Sequence, residues 1–180
     1  MNNIDMSRPG ANLGFVGDRI DRVDHIRTDD DALARAIADP SAARLCLDAL
    51  DPILAGDMLL REPMPASAKL SDHILLGLDD AGPVFARLAQ DLPHGANFAP
   101  RVWDAAAILN PAELALYGTA RSLIDWHARH GFCAVCGGGT APVKGGWSRK
   151  CDGCGAEHFP RVDPVTIMLA EHDGRVLLGR

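Results

Sequence analysis

The spacing of hydrophobic and polar residues over the first 90 positions predicts a small domain that mixes helix and strand. Leu33 and Ile37 lie four residues apart behind three aspartates at 29–31, which is typical of a short helix over 28–38 that Pro40 ends. Apolar residues then gather in short strand-like segments at 43–50, 57–61, 74–78 and 84–88. The sequence Asp-Asp-Ala-Gly-Pro at 79–83 predicts a hairpin loop between the last two segments.

A longer helix is predicted from Pro111 to about position 130. Asn110 is a suitable N-cap, Pro111 suits the first helical position, and Gly131 is a typical stop. Its apolar stripe is expected to pack on the N-terminal domain or on the segment that follows; it comprises Tyr117, Ala120, Ile124 and His127, with Leu116 and Leu123 beside it. His127 and His130 are interpreted as polar tips, because a positive charge is favourable at a helix C-terminus.

The last eighteen or so positions predict a β-hairpin. Residues 163–170 have the pattern of a strand, 171–174 that of a turn, and 175–179 that of a returning strand. An apolar hairpin at a chain terminus would leave an unpaired sheet edge exposed. We therefore expect it to be the first hairpin of a domain whose remainder lies beyond Arg180.

Four cysteines in two tight pairs predict a metal site. Cys133 and Cys136 form one Cys-x-x-Cys turn, and Cys151 and Cys154 form the second after a fourteen-residue spacer. Two such turns supply four thiolates, which complete the tetrahedron that Zn²⁺ prefers. Two alternatives remain open on the residues alone: tetrahedral iron, and a pair of disulfides. The fifth cysteine, Cys46, lies between two leucines and is interpreted as a small buried apolar residue.

Composition and charge narrow the classes of function. The apolar fraction of 47% is that of a globular protein, and the formal net charge of −6 disfavours a generic nucleic-acid binder. Lys144, Arg149, Lys150 and Arg161 make the cysteine region weakly basic, which is interpreted as solvated surface. The N-terminus has no signal-peptide core, and no run approaches the length of a membrane span, so a cytoplasmic protein is expected.

Several segments resemble the NADH pyrophosphatase branch of the Nudix hydrolases: 120–127, 132–137, 146–151, 157–161, 163–164 and 176–180. Asn12, Phe15, Gly17, Asp21 and Arg22 fit the N-terminal domain of that family less specifically. The resemblance implies an α+β protein in four parts. These are an N-terminal Nudix-like α/β domain (1–110), a connecting helix (111–130), a rubredoxin-like zinc ribbon (131–160) and the first hairpin of an incomplete Nudix catalytic domain (161–180).

The same resemblance implies an activity. Members of this branch hydrolyse the pyrophosphate of NADH or NAD to nicotinamide mononucleotide and AMP, and some remove NAD caps from RNA. It also implies a structural zinc ion, catalytic Mg²⁺ or Mn²⁺, and a homodimer. The alternative hypothesis is a non-catalytic zinc-ribbon module that binds a protein or a nucleic acid.

The sequence departs from the family in one respect that bears on catalysis. The Nudix signature, G-x5-E-x7-R-E-U-x-E-E-x-G-U with U a bulky aliphatic residue, supplies the glutamates that hold the catalytic cations. This chain has only four glutamates, none of them adjacent: Glu62, Glu113, Glu157 and Glu171. The Ser-Gln-Pro-Trp-Pro-Phe-Pro-like substrate motif is also absent. We therefore assign no catalytic residue and expect the 180-residue chain alone to be inactive.

The resemblance implies two candidate substrate contacts in this chain. Phe159, five residues after the last ribbon cysteine, matches an aromatic residue that borders the nucleotide site. An aromatic face can stack on a base, although packing of the ribbon is an equal alternative. Arg101 matches an arginine near the substrate, and a guanidinium suits phosphate, although an ordinary surface arginine would look the same.

Overall fold

The computed structural model describes residues 15, 20–89, 92, 101–161 and 169–178. Its N-terminal part is a four-stranded mixed sheet in the order β6-β1-β8-β7. β1 pairs in parallel with β8, and the other pairs are antiparallel. The elements of this part are α1 (Asp24–Arg27), α2 (Asp30–Ala38), β1 (Ala43–Leu45), β2 (Leu47–Asp48), β3 (Asp51–Pro52), β4 (Leu54–Ala55), β5 (Met58–Leu59), β6 (Arg61–Pro63), β7 (His73–Asp79) and β8 (Gly82–Arg87).

The predicted short helix and the predicted hairpin are both present. Asp29 caps α2 by accepting a hydrogen bond of 2.9 Å from the backbone N–H of Ala32. Asp79 pairs with Gly82 across a two-residue turn, so the hairpin loop is where the sequence predicts it.

Two strand predictions for this part are wrong in extent, and one helix was not predicted. The strand predicted at 57–61 is divided at Leu60, which separates β5 from β6. The single strand predicted at 43–50 is wrong in extent, because the chain breaks at Cys46 and Ala49 takes a left-handed φ of 53° in a tight turn. A further helix, α3 (Arg101–Ile108), was not predicted; with only eight residues it is too short to show a clear helical repeat.

The predicted long helix, α4 (Pro111–Arg129), ties the sheet to the rest of the chain. The side chain of Asn110 accepts hydrogen bonds from the N–H groups of Ala112 (3.0 Å) and Glu113 (3.1 Å), which is the expected cap. Tyr117 is fully buried and donates its hydroxyl to the carbonyl of Leu50 at 2.8 Å. The apolar stripe therefore packs on the sheet, as predicted.

Glu113 anchors the first turn of α4 to the sheet. Its carboxylate is buried, and it accepts hydrogen bonds from the N–H of Leu59 (2.9 Å) and from Arg61 Nη2 (2.8 Å). Arg61 also pairs with Asp79 at the end of β7. The charge of Glu113 is thus compensated by hydrogen bonds and by an arginine, as a buried carboxylate requires.

A three-stranded ribbon follows α4, in the order β11-β10-β9. It consists of β9 (Thr140–Val143), a 3-10 turn (Lys144–Gly146), β10 (Ser148–Cys151) and β11 (Glu157–His158). The ribbon contacts the N-terminal sheet through this turn and the residue that follows it. Trp147 donates its indole N–H to the carbonyl of Leu75 at 2.7 Å, and Gly146 lies directly against Ile74.

Replacing Gly146 with alanine is expected to destabilise the protein by about 2–4 kcal/mol. Gly146 has a φ of +84°, and an added Cβ would lie 2.8 Å from Cγ1 and 3.0 Å from Cα of Ile74. The backbone atom cannot move without displacing β7. Urea unfolding measures the effect. Gly139→Ala is the matched control, since its Cβ would meet nothing within 4 Å; an equal loss in both variants would contradict the docking argument.

The C-terminal hairpin is present with a shorter turn than predicted. β12 (Glu171–His172) pairs with β13 (Arg175–Val176), so the turn is only Asp173 and Gly174. Both turn residues have a left-handed φ, of 49° and 70°, which favours the tight hairpin turn. Most of the strand predicted at 163–170 lies outside the described residues. Within the described part of the chain, no helix has the length and apolarity to cross a membrane.

Candidate metal centre and the adjoining cavity

The four paired cysteines converge at one end of the ribbon. The four Sγ atoms all lie within 4.8 Å of one another, with Cys133 and Cys154 at 3.6 Å and Cys136 and Cys151 at 3.5 Å. A tetrahedron of zinc–sulfur bonds of about 2.3 Å requires sulfur separations of roughly 3.8 Å. The contacts are too long for the S–S bond of about 2.05 Å. The arrangement therefore fits a zinc ion with all four positions filled by thiolates.

The two Cys-x-x-Cys turns have the same backbone geometry. Gly137 donates its N–H to the carbonyl of Cys133 at 2.9 Å, and Gly155 donates to the carbonyl of Cys151 at 3.1 Å. Both glycines have a φ of +75°, a conformation that other residues rarely adopt. The glycine after each second cysteine is thus required by the turn.

Backbone N–H groups point at the sulfur atoms and favour the thiolate form. The N–H of Cys136 is the main cause that lowers the pKa of Cys133 to about 6, with help from Val135 and from His158, whose Nε2 lies 3.2 Å from the sulfur. The N–H groups of Cys154 and then of Gly153 lower the pKa of Cys151 in the same way. The pKa of Cys154 moves the other way, to about 12: the N–H of Ala156 opposes the rise, but hydrogen bonds with the sulfurs of Cys136 and Cys133 favour its protonated form. The turns therefore favour the thiolate at Cys133 and Cys151 before the ion arrives, and zinc binding displaces the proton of Cys154.

Cys46 is half-buried rather than buried, which corrects the sequence interpretation. It sits in the break between β1 and β2, where it lines a cavity of about 440 Å³. Burial, together with the nearby carboxylate of Glu62, raises the pKa of the Cys46 thiol. A raised pKa keeps the thiol protonated and makes it a poor nucleophile.

His127 joins the end of α4 to the ribbon, and its interpretation as a charged polar tip is wrong. Its Nδ1 lies 2.8 Å from Arg149 Nη1, and its Nε2 lies 2.7 Å from the carbonyl oxygen of Gly146. Because the guanidinium can only donate, Nδ1 accepts, and the proton sits on Nε2. His127 is therefore a neutral bridge. Burial lowers its pKa to about 4, and the charge of Arg149 acts in the same direction.

Arg149 is buried as well, so it does not belong to the solvated surface predicted from the sequence. Its Nε donates to Thr140 Oγ1 at 2.7 Å and its Nη2 to the Thr140 carbonyl at 2.6 Å. Together with His127 these contacts hold β9, β10 and α4 in one arrangement. The ribbon is consequently packed on the helix as well as on the sheet.

We expect mild acid to destabilise the protein, because His127 is neutral where it bridges α4 and the ribbon. An unfolded histidine titrates at its ordinary pKa of 6.5, whereas folded His127 titrates at about 4. Between these values the unfolded chain binds more protons, so the stabilisation is complete above pH 6.5 and falls as the pH drops toward 4. We expect the free energy of unfolding to fall by about 2 kcal/mol from this residue. Urea unfolding at pH 7 and pH 5 measures it.

His127→Gln is the control for that measurement. Glutamine keeps an N–H for the Gly146 carbonyl but does not titrate. Any zinc release at low pH affects both proteins, so the difference between their pH dependences isolates His127. Identical pH dependences would contradict the prediction.

The ribbon, α1 and α4 also enclose a cavity of about 1240 Å³, which we call the helix–ribbon cavity. Phe159 lies on its wall with 54% of its surface exposed, and Lys144 Nζ is 5.2 Å from the ring centroid. Arg101 lies elsewhere. Its Nε is 4.0 Å from Asp51 Oδ2, beside a separate cavity of about 330 Å³. The two predicted substrate contacts are therefore not brought together by the part of the chain that the structure describes.

Carboxylates do not cluster within the part of the chain that the structure describes, as the sequence predicts. Over residues 15, 20–89, 92, 101–161 and 169–178, only the four cysteines form a group of three or more potential metal ligands. Three of the four glutamates in this region each pair with a different basic residue: Glu62 with Arg44, Glu113 with Arg61, and Glu157 with Lys144. The fourth, Glu171, accepts a hydrogen bond of 2.7 Å from the N–H of Gly174. None of them forms a second metal centre.

Comparison with known proteins identifies the ribbon and its surroundings. Residues 128–159 match the family model described as the NADH pyrophosphatase zinc ribbon domain. The chain is 33% identical over 172 residues to the NAD-capped RNA hydrolase NudC of Mycobacterium tuberculosis, a match that covers 89% of this chain and 53% of the relative. It is 36% identical over 115 residues to the NAD-capped RNA hydrolase NUDT12 of Macaca fascicularis, covering 58% of this chain and 24% of the relative.

A plant protein gives a shorter match. The chloroplastic Nudix hydrolase 19 of Arabidopsis thaliana is 43% identical over 72 residues, or 38% of this chain and 16% of the relative. The chain thus spans about half, or less, of the length of these curated relatives. The zinc-ribbon match at 128–159 and the alignment over most of the sequence show that the chain is similar to the NADH pyrophosphatase branch of the Nudix hydrolases, and they support that branch as its family.

Proposed function

We propose that this chain is part of an NAD(H) diphosphatase, which cleaves the pyrophosphate of NADH or NAD to nicotinamide mononucleotide and AMP. NAD-capped RNA is proposed as a second substrate. The observation that carries the proposal is the alignment of 89% of the chain with a protein named NAD-capped RNA hydrolase, in which the zinc-ribbon match is included. These relatives do not favour the alternative of a non-catalytic zinc-ribbon module.

The zinc centre has a structural role in this proposal. Four thiolates leave zinc no open position for water, so the ion cannot activate a nucleophile. Its effect is to hold the ribbon, whose turn contacts the sheet through Trp147 and α4 through His127. The ribbon in turn positions Phe159 at the helix–ribbon cavity.

Phe159 and Arg101 are the proposed substrate contacts. The half-exposed ring of Phe159 can stack on a base. The Arg101 side chain is 62% exposed, and its Nε lies 4.0 Å from Asp51 Oδ2, so the guanidinium can reach a phosphate. Because they lie beside different cavities, they would contact different parts of a substrate as long as a capped RNA.

The catalytic step is proposed to use residues beyond position 180. Pyrophosphate cleavage in this family implies Mg²⁺ or Mn²⁺ held by clustered glutamates, which this sequence lacks between positions 1 and 180. The test is the coding sequence after the Arg180 codon. An in-frame Nudix signature there, followed by release of AMP from NADH by the longer protein with Mn²⁺, would support the proposal. A longer protein with the signature but without AMP release would contradict it.

The remaining expectations from the resemblance are part of the proposal. They are the Nudix-like character of the N-terminal domain at 1–110, the connecting helix at 111–130, the ribbon at 131–160 and the first catalytic hairpin at 161–180. A homodimer and a cytoplasmic location are proposed on the same basis. Size measurement of the longer protein in solution tests the dimer.

A further inference from the structure

The four cysteines of the ribbon differ in their access to solvent. Cys136 and Cys154, which are the second cysteines of their turns, are exposed, whereas Cys133 and Cys151 are buried. Exposure and thiolate character are the two properties that make a cysteine easy to oxidise, and a cysteine that binds zinc is a thiolate. An oxidant dissolved in water therefore meets one sulfur of each turn first.

Each exposed sulfur has a buried sulfur of the other turn beside it. Cys154 Sγ lies 3.6 Å from Cys133 Sγ, and Cys136 Sγ lies 3.5 Å from Cys151 Sγ. Both contacts join the two turns to each other. A disulfide bond is about 2.05 Å long, so each pair has to close by only about 1.5 Å to form one.

Backbone hydrogen bonds hold the two turns side by side. The N–H of Cys133 donates to the carbonyl of Gly138 at 2.7 Å, and the N–H of Asp152 donates to the carbonyl of Gly139 at 3.2 Å. Two adjacent glycines thus bind one turn each. Because these bonds involve no side chain, they keep the sulfur pairs close together whether or not the sulfurs hold a metal ion.

Two glycines also leave room for one of the pairs to close. An added Cβ on Gly138 would lie 3.4 Å from Cys136 Sγ and 3.5 Å from Cys151 Sγ, and one on Gly153 would lie 3.8 Å from both. Both glycines therefore face this pair of sulfurs. Without side chains of their own, they do not obstruct the movement of the sulfurs toward each other.

We infer that the cysteine cluster is a peroxide-sensitive site with two forms. The reduced form holds zinc on four thiolates. The oxidised form holds no zinc and has two disulfides that join the turns, one from Cys133 to Cys154 and the other from Cys136 to Cys151. The inference concerns the cluster alone, so it stands or falls independently of the proposed hydrolase activity.

The oxidation is the same for both pairs. The thiolate of the exposed cysteine attacks one oxygen of hydrogen peroxide, becomes a sulfenic acid and releases hydroxide. The thiolate of the buried cysteine then attacks that sulfur, which forms the S–S bond and displaces a second hydroxide. Each pair gives two electrons to one peroxide. After two such reactions the four sulfurs have lost the negative charges that bind zinc, and the ion is released.

Oxidation is expected to remove the zinc without unfolding the ribbon. The two disulfides join residues that are 21 and 15 positions apart, and such cross-links restrict the unfolded chain. Cys151 pairs with Thr140 at one end of β9 and β10, whereas Ser148 and Val143 pair at the other end, next to the turn that docks on the sheet. Closure of the sulfur pairs therefore leaves the docking contacts in place.

Treatment of the zinc-loaded 180-residue chain with two equivalents of hydrogen peroxide tests the inference. A chromogenic zinc indicator is expected to show release of one zinc per chain. The free thiols of the denatured chain should fall from five to one, because Cys46 lies outside the cluster. Dithiothreitol and zinc together should restore both values. Cys46→Ala is the matched control, which should release zinc like the parent while its thiols fall from four to none.

Tryptic digestion of the oxidised chain, after alkylation of free thiols, shows which cysteines are paired. Cleavage after Arg129, Lys144, Lys150 and Arg161 places both cysteines of the first turn on peptide 130–144 and both cysteines of the second turn on peptide 151–161. Disulfides between the turns join the two peptides into one mass. Disulfides within the turns leave them separate. Fragmentation of the joined peptides then assigns the pairs.

Several results would overturn the inference. They are two separate peptides, joined peptides with the other pairing, retention of zinc and five thiols after the treatment, and thiols that dithiothreitol does not restore. Loss of the dispersed ribbon signals from the nuclear magnetic resonance spectrum of the oxidised chain would overturn it as well. Release of AMP from NADH by a longer protein is a separate measurement, and its outcome decides only the proposed function.

Discussion

Removal of the zinc ion, by a strong chelator or by Cys151→Ala, is expected to unfold the ribbon at 131–160. Cys133 and Cys151 are buried, and they are among the few buried side chains that the ribbon contributes. The strands are only two to four residues long, so their hydrogen bonds alone cannot hold them. In small zinc peptides the ion contributes about 10–16 kcal/mol to folding. This is the largest stability effect that we expect in the molecule.

Loss of the ribbon should also loosen the parts that it contacts. The indole of Trp147 would no longer reach the Leu75 carbonyl, and His127 would lose both of its hydrogen-bonding partners. Water would replace both partners, and no hydrogen bond would then join the end of α4 to a folded neighbour. We therefore expect the end of α4 to fray, while the sheet and the first turns of α4 keep their own core.

Elemental analysis measures the bound metal, and nuclear magnetic resonance spectra show whether the ribbon is folded. We expect one zinc per parent chain, and loss of the dispersed ribbon signals in the Cys151→Ala variant. Cys46→Ala is the matched control, because that thiol lies on the N-terminal sheet and outside the cysteine cluster. Iron in place of zinc, or a metal-free reduced protein with an ordered ribbon, would contradict the prediction.

The features that the sequence predicted well depend on neighbouring residues. The paired cysteines lie three residues apart, and the turn that joins each pair is closed by hydrogen bonds within five residues. The cap of α4 is likewise local, since Asn110 bonds to residues two and three positions later. Spacing and residue type are therefore sufficient to predict an interaction that is confined to one turn of the chain.

The features that the sequence did not reveal depend on distant residues. His127 contacts Gly146 and Arg149, 19 and 22 positions away, and nothing near it in the chain indicates that it is neutral and buried. The helix–ribbon cavity is similar, because Arg22 and Lys144 line the same cavity only after the ribbon has docked on the sheet. A basic residue in isolation looks like solvated surface whichever role it takes. Its role is decided by the packing of elements that are far apart in sequence.

The 180-residue chain is expected to show no hydrolysis of NADH with Mg²⁺ or Mn²⁺. Cleavage requires cations beside the scissile phosphorus, and carboxylates in a cluster are what hold such cations in proteins. The four glutamates of the sequence are dispersed, and those at 62, 113 and 157 are each paired with a basic residue. The zinc centre cannot replace them, because four thiolates fill its coordination sphere.

Binding by itself would not change this expectation. The proposed contacts of Phe159 and Arg101 with a nucleotide would stabilise the bound ground state, and only contacts that are stronger in the transition state accelerate the reaction. The assay is incubation of zinc-loaded chain with NADH and Mn²⁺, followed by chromatography for AMP. A Nudix hydrolase of the same branch, run in parallel, verifies the assay. AMP release by the zinc-loaded chain, well above that of Cys151→Ala, would contradict the expectation. It would show that carboxylates to which we assign a structural role catalyse the hydrolysis of NADH.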